Sequence, residues 1–220
     1  MRAALGFAGL VIVLALAAFV PAGTASWAEA WLFLGVFTAS AVAVTVYVAR
    51  EDPALLARRS HGGPLAEKEP TQQLIQGLAS LSFLSAVVVP ALDHRFGWSH
   101  VGLAFVVLGD ALVVLGFLIV FVVFRENTFA SSTIEVAADQ RVIDSGPYAV
   151  VRHPMYAGGL VLIAGVPLAL GSLVGLVTFP PFLAIIVWRL LDEERFLVAQ
   201  LTGYAAYRER VRWRLVPRIW

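Results

Sequence analysis

The chain has 220 residues, 60% hydrophobic and 14% charged, with a mean hydropathy of +0.83 and a formal net charge of +1. That composition excludes an ordinary soluble domain and points to a membrane protein, and the near balance of charge excludes a general field toward nucleic acid. Cysteine is absent, which excludes disulfides, thiolate nucleophiles and thiolate metal sites. The four histidines, His61, His94, His100 and His153, lack metal-ligand spacing, so no metal site is expected.

In chain order, Ala3 to Ala22 is an apolar run of about 20 residues, enough to span ~30 Å of hydrocarbon as a helix. It exceeds the usual apolar region of a signal peptide and is expected to be a retained span rather than a cleaved leader. Trp27 to Val48 is a second span, with Trp27 and Trp31 placed as interfacial anchors. A charged loop follows from Arg50 to Gln73, broken by Pro53, Gly62, Gly63, Pro64 and Pro70. Leu74 to Leu92 is the third span, and the polar turn Asp93 to His100 leads to the fourth, Val101 to Phe124. From Arg125 to His153 the chain is the longest non-apolar segment after that. Within it Ser131-Ser132-Thr133, Ile134-Glu135-Val136 and Arg141-Val142-Ile143-Asp144 are candidate short extended pieces. Tyr156 to Leu170 and Leu173 to Leu191 are the fifth and sixth apolar blocks. They read as a helical hairpin turning at Gly171-Ser172, the second arm kinked at Pro180-Pro181. The charged tail from Asp192 is helical in pattern.

These blocks predict an all-α polytopic membrane protein of about six transmembrane helices, with a C-terminal helical hairpin and a cytoplasmic C-terminal helix. Residues 1–124 form a membrane part of four helices and residues 125–220 a second, functional part. Of the 16 Lys and Arg residues, 15 fall on one side in a six-span arrangement, and Arg95 stands alone on the other. The positive-inside rule then places both termini in the cytoplasm, in a cell membrane.

Thirteen residues, Gly146 to Gly158, gather two prolines, two glycines, two tyrosines and the pair Arg152-His153 between apolar blocks. Pro154 biases His153 away from helical dihedrals, and Gly158 is a position where a backbone or a ligand can approach closely. The same residues also suit a plain turn whose arginine snorkels to lipid phosphates. Arg189 and Glu193, four apart, share one helix face, while Glu194 is rotated by roughly 100°. Tyr204 and Tyr207 lie on one face ahead of Arg208, Arg210, Arg212 and Arg214, a pattern that also suits an amphipathic helix on anionic headgroups. Asp110 lies inside the fourth span, where a carboxylate should face a partner; a hydrogen bond to a neighbouring helix is expected rather than a substrate contact.

Taken together, Gly-Pro-Tyr-x-x-x-Arg-His-Pro-x-Tyr-x-Gly at 146–158, Arg-x-x-Asp-Glu-Glu at 189–194 and Gly-Tyr-x-x-Tyr-x-x-x-Val from 203 resemble the isoprenylcysteine carboxyl methyltransferases and their phospholipid methyltransferase relatives. The resemblance covers about the last 80 residues in order. It implies an integral-membrane methyltransferase that uses S-adenosylmethionine and acts on a lipophilic acceptor entering from the bilayer. It also implies that Gly146, Tyr148, Arg152, His153, Pro154, Tyr156, Gly158, Glu193, Glu194, Tyr204 and Tyr207 form the cofactor site. Arg189 matches the position suited to an acceptor carboxylate. Glu193 and His153 would be the candidate bases for a neutral acceptor. Replacing Glu194 by Gln is expected to weaken cofactor binding without unfolding the protein. Sterol reductases that bind a nicotinamide dinucleotide are similar in the Arg-His-Pro-x-Tyr stretch, and a non-catalytic lipid- or nucleotide-binding membrane protein is a third possibility.

Overall fold

The computed structural model describes residues 2–60, 63, 66, 67, 69–131, 133, 134, 136 and 140–220, with side chains described from residue 6 onward except at Ser60. Among these residues the fold is all-helical, with eight α-helices and no strand: α1 (Arg2–Ala22), α2 (Ala28–Glu51), α3 (Pro53–Ser60), α4 (Pro70–Phe96), α5 (Leu103–Glu126), α6 (Pro154–Ala169), α7 (Phe179–Gln200) and α8 (Tyr204–Arg210). Two 3-10 turns, Gly146–Ala149 and Val174–Thr178, precede α6 and α7. Four stretches are long and apolar enough to cross a membrane: Ala28–Glu51, Pro70–Phe96, Leu103–Glu126 and Val174–Gln200. In such a helix each backbone group is satisfied inside the segment, which the hydrocarbon requires. Gly6–Ala22 and α6 are shorter apolar helices.

Helix boundaries follow local chemistry. Pro70 opens α4, where a missing N–H costs nothing, and Gly97 closes it in the left-handed conformation with φ 67°. The loop expected from Arg50 to Gln73 contains the helix α3, because the Asp52 carboxylate accepts the Leu55 N–H at 2.8 Å and caps its first turn. Pro180 and Pro181 fall in the first turn of α7, where proline is tolerated. They start that helix after the 3-10 turn, and the predicted kink is absent. Arg141–Asp144 forms no strand. The other two candidate extended pieces include Ser132 and Glu135, which lie outside the described residues, as do His61, Gly62 and Pro64.

The core runs through Leu14, Ala18, Phe33, Phe37, Val87, Val113, Ile163, Val166 and Leu190. Large apolar side chains such as Leu16, Val20, Leu81, Leu103 and Phe105 point outward, as lipid contact requires. Trp31 is exposed as an anchor should be, whereas Trp27 is buried and stacks on His94 with ring centroids 4.5 Å apart.

The closest helix contact is between α5 and α6. A Cβ on Gly109 would lie 2.1 Å from the Ala169 nitrogen, one on Gly116 2.7 Å from the Gly158 oxygen, and one on Gly165 2.6 Å from the Gly109 oxygen. Small residues let the two backbones touch, the usual means of helix association where lipid is as apolar as the side chains. Of the two readings of Gly158, this favours the approach of a backbone. Its missing side chain makes room for Ile119 and the Gly116 carbonyl of α5, not for a ligand. The two hairpin arms also touch little, because α6 lies along α5. Asp110, beside Gly109, is buried, and neither carboxylate oxygen has a hydrogen-bond partner among the described residues, contrary to the expected bond between helices.

Candidate active site

At one end of the bundle meet the end of α5, the starts of α4 and α6, the last turns of α7, and α8. Two backbone bonds fix the Arg152-His153 dipeptide: its amides donate to the carbonyls of Trp213 and Arg214, both at 2.9 Å. An irregular segment some sixty residues downstream thus holds the bent backbone ahead of Pro154.

The neighbouring carboxylates Glu193 and Glu194 diverge as the helical rotation predicts. Glu194 is buried and has both oxygens engaged. Oε1 accepts Arg152 Nε at 2.6 Å and meets His153 Nε2 at 3.2 Å, and Oε2 accepts Arg214 Nε at 3.0 Å. Arg152 also donates Nη1 to the carbonyls of Val211 (2.8 Å) and Arg212 (3.0 Å). Arg152 is therefore a buried brace between α6, α7 and the tail, and the snorkelling alternative does not hold. A buried ion pair with its hydrogen bonds completed stays put, and removing one partner strands the other charge. Glu194→Gln is consequently expected to unsettle this end of the protein, which corrects the prediction of a purely ligand-binding effect.

Glu193 faces the other way, into a cleft. The Tyr156 hydroxyl donates to Glu193 Oε2 and accepts Arg189 Nε at 3.1 Å. Tyr156 stacks on His153 with ring centroids 5.6 Å apart. Arg189 and Glu193, on one face of α7, thus meet on a single tyrosine hydroxyl from α6.

The cleft has a cavity of about 130 Å3 within about 880 Å3 of open space. It is lined by Tyr148, Arg152, His153, Tyr156, Glu193, Tyr204 and Tyr207 with Pro154, and by described residues of the preceding segment, among them Asn127, Ile134 and Ile143. Tyr148 accepts Asn127 Nδ2 at 2.9 Å on its hydroxyl, and its carbonyl accepts the Tyr207 hydroxyl at 2.8 Å. Burial pushes the Tyr148 hydroxyl up to about 12, and it also holds Tyr204 and Tyr207 well above the ordinary tyrosine range. All three remain neutral donors at physiological pH. The Tyr204 hydroxyl is buried with no hydrogen-bond partner among the described residues, an energetic debit of about 1–3 kcal/mol that a bound group could relieve. Tyr204 and Tyr207 are covered by Leu197, Leu201, Val142 and Val211, so the inner face of α8 packs on protein rather than on headgroups.

Of the residues expected in the cofactor site, Gly146, Gly158 and Glu194 do not line the cleft, and neither does Arg189, the residue expected to hold the acceptor. Gly146, at φ +55°, leaves room for the Glu126 carboxylate, which a Cβ would approach to 2.8 Å. Arg189 lies one layer behind, with Nη2 at 2.8 Å from Glu67 Oε1 and Nη1 at 3.1 Å from Gln72 Oε1. Glu67 and Gln72 were not anticipated. Both lie at the charged entry to the third span, where neither hydrophobic period nor motif separates them from solvated neighbours.

The fold and the cleft define a helical membrane protein with an open, tyrosine-walled cleft beside its C-terminal helices. Residues 104–202 match the family model described as phospholipid methyltransferase. A "Probable protein-S-isoprenylcysteine O-methyltransferase" of Oryza sativa subsp. indica is 28% identical over 202 residues, covering 85% of this chain and 95% of that protein. "Protein-S-isoprenylcysteine O-methyltransferase B" of Arabidopsis thaliana is 24% identical over 143 residues, 61% of this chain and 68% of that one. These matches bear out the resemblance read from the motifs: the family model and both relatives are named for methyltransferases. The reductase reading finds no support in them.

Proposed function

We propose that the protein transfers a methyl group from S-adenosylmethionine to a lipophilic acceptor that ends in a carboxylate, of the isoprenylcysteine kind. The observation that carries this reading is the meeting of Arg189 and Glu193 on the Tyr156 hydroxyl at the inner edge of the cleft. It sets a cation suited to a carboxylate beside a carboxylate suited to an ammonium or a ribose hydroxyl.

S-adenosylmethionine supplies an electrophilic methyl group on a sulfonium. The residues present fit it. Tyr156, Tyr204 and Tyr207 offer aromatic faces for a cation, Glu193 offers an acceptor, and the unpartnered Tyr204 hydroxyl offers a donor. Tyr148, Arg152, His153 and Pro154 complete the wall. Glu194 acts through Arg152, His153 and Arg214 by holding that wall in place. Gly146 and Gly158 serve the backbone packing beneath it.

An acceptor carboxylate is its own nucleophile and loses no proton, so the reaction needs no base. That agrees with His153, whose Nε2 is engaged with Glu194, and with Glu193, which is engaged with Tyr156. What remains for the protein is to align two reactants and exclude water, and orientation alone can supply much of the acceleration. Arg189 would hold the acceptor carboxylate and Tyr156 would keep Arg189 and Glu193 at fixed separation.

In the membrane, α1 and α6 join the four longer helices as a six-span arrangement with both termini and α8 on the cytoplasmic side, which the distribution of Lys and Arg favours. Residues 1–124 then shape the approach of the lipid, and residues 125–220 bind the donor. Calorimetry on detergent-purified protein should give binding of S-adenosylmethionine and none of NADPH, and labelled methyl should pass to an S-prenylated N-acetylcysteine. Binding of NADPH alone would overturn the reading. Transfer only to an amine-headed phospholipid would replace the acceptor class.

A further inference from the structure

Arg189 does not await a ligand. Its guanidinium is buried, and the carboxylate of Glu67 already sits on Nη2 at 2.8 Å, with Gln72 on Nη1 at 3.1 Å and Tyr156 on Nε at 3.1 Å. Glu67 is itself buried. Oε1 also accepts Gln76 Nε2 at 3.1 Å, Oε2 accepts the Ile134 amide at 3.2 Å, and the Glu67 carbonyl accepts Gln73 Nε2 at 2.9 Å. Ile134 belongs to the outer wall of the cleft. One carboxylate from the segment ahead of α4 therefore caps the cation of α7 and pins the cleft wall over it.

We propose that Glu67 is the resident occupant of the acceptor subsite, and that an anionic acceptor reaches Arg189 by exchanging with the Glu67 carboxylate. This rests on the reading of Arg189 as the acceptor's cation. The exchange conserves charge: one buried carboxylate leaves the guanidinium as another arrives, so Arg189 is never left uncompensated, which would be costly. A neutral lipid offers no such replacement and cannot open the pair, so Glu67 discriminates between acids and their esters or amides. The product of the reaction is an ester. Having lost the charge, it holds Arg189 poorly, and return of Glu67 helps expel it. Glu67 is a specificity-determining residue supplied by the half of the chain that carries none of the family motifs.

The test compares wild type with Glu67→Gln, which keeps the hydrogen-bonding shape and removes the charge. With an S-prenylated N-acetylcysteine as acceptor, KM should fall roughly three- to tenfold, since the competent state is no longer held down by an internal competitor. S-adenosylmethionine affinity by calorimetry should be unchanged, and inhibition by the methyl-ester product should strengthen. A residue that merely supported Arg189 would give a raised KM in Glu67→Gln, and that result overturns the proposal. Should Glu67→Gln fail to fold, Glu67→Asp withdraws the charge by one methylene and should shift KM in the same direction by less; a raised KM there is equally fatal. If wild type methylates no prenylated carboxylate, the acceptor assignment itself has failed, whereas activity with an unimproved KM in the variant removes only the role of Glu67.

Discussion

Carboxylates are buried at both ends of the bundle, and the two ends satisfy them differently. At the far end, Asp93 Oδ1 accepts the Ser99 amide at 2.6 Å, and Oδ2 accepts the hydroxyls of Ser99 and of Ser172, the latter at 2.5 Å. Those hydroxyls in turn accept the amides of Leu173 (3.0 Å) and Gly175 (2.8 Å). Each bond there ties a turn to a helix end, and the polar atoms of Asp93 are used up in doing so. At the cleft end Glu194 behaves similarly, but Glu193 faces open space and the Tyr204 hydroxyl has no partner among the described residues. A buried charge that is saturated is structural. A polar group left incomplete beside a cavity marks where a ligand completes it.

Substitutions can break this contrast. The largest effect is expected for Glu194→Gln, which leaves Arg152 poorly compensated and should cost about 3–5 kcal/mol of stability, read as loss of thermal stability in detergent with activity falling in parallel. Glu193→Gln should do the opposite. Methyl transfer should fall by roughly 100-fold, equivalent to about 2.7 kcal/mol, while the melting temperature hardly moves; parallel loss of both would assign Glu193 to the frame. Asp93→Ala, at the saturated end, should destabilise by about 1–3 kcal/mol through unsatisfied serines and amides, with kcat and KM of the folded protein unchanged. The smallest change belongs to Tyr204→Phe, which should leave stability equal or slightly higher because an unpaired buried hydroxyl is removed. Its S-adenosylmethionine affinity should drop roughly three- to tenfold, for one lost hydrogen bond of about 1 kcal/mol. A stability loss there, with affinity intact, would show that the hydroxyl has a structural partner.

Much of the fold was legible because hydrophobic run length is a strong signal in a chain so poor in charge. The third block lies within a longer membrane-length stretch, and the fourth and sixth overlap such stretches to within two residues at their starts. The i,i+4 relation of Arg189 and Glu193 carried through to a shared contact on Tyr156, and the rotation of Glu194 carried through to a different set of partners. What escaped is what depends on non-local geometry. Gly158 reads equally well as room for a ligand or for a helix, and only the position of α5 decides between them. Pro180-Pro181 reads as a kink until the preceding 3-10 turn shifts the helix start to Phe179. Glu67 sits in a charged, proline-broken loop, a composition that ordinarily means solvent, and only the approach of α7 makes it a buried counter-ion.

The clamp on Arg152 and His153 has a consequence for the order in which the protein is made. The carbonyls that accept its two amides, and those that receive the Arg152 guanidinium, come from residues 211–214. The membrane helices can insert one after another as they leave the ribosome, but the bent dipeptide ahead of Pro154 finds its acceptors only when synthesis has passed Arg214. Until then the cation that organises Glu194 has no fixed seat. On the function proposed above, a nascent chain already in the bilayer completes its donor site only when residues 211–214 are in place.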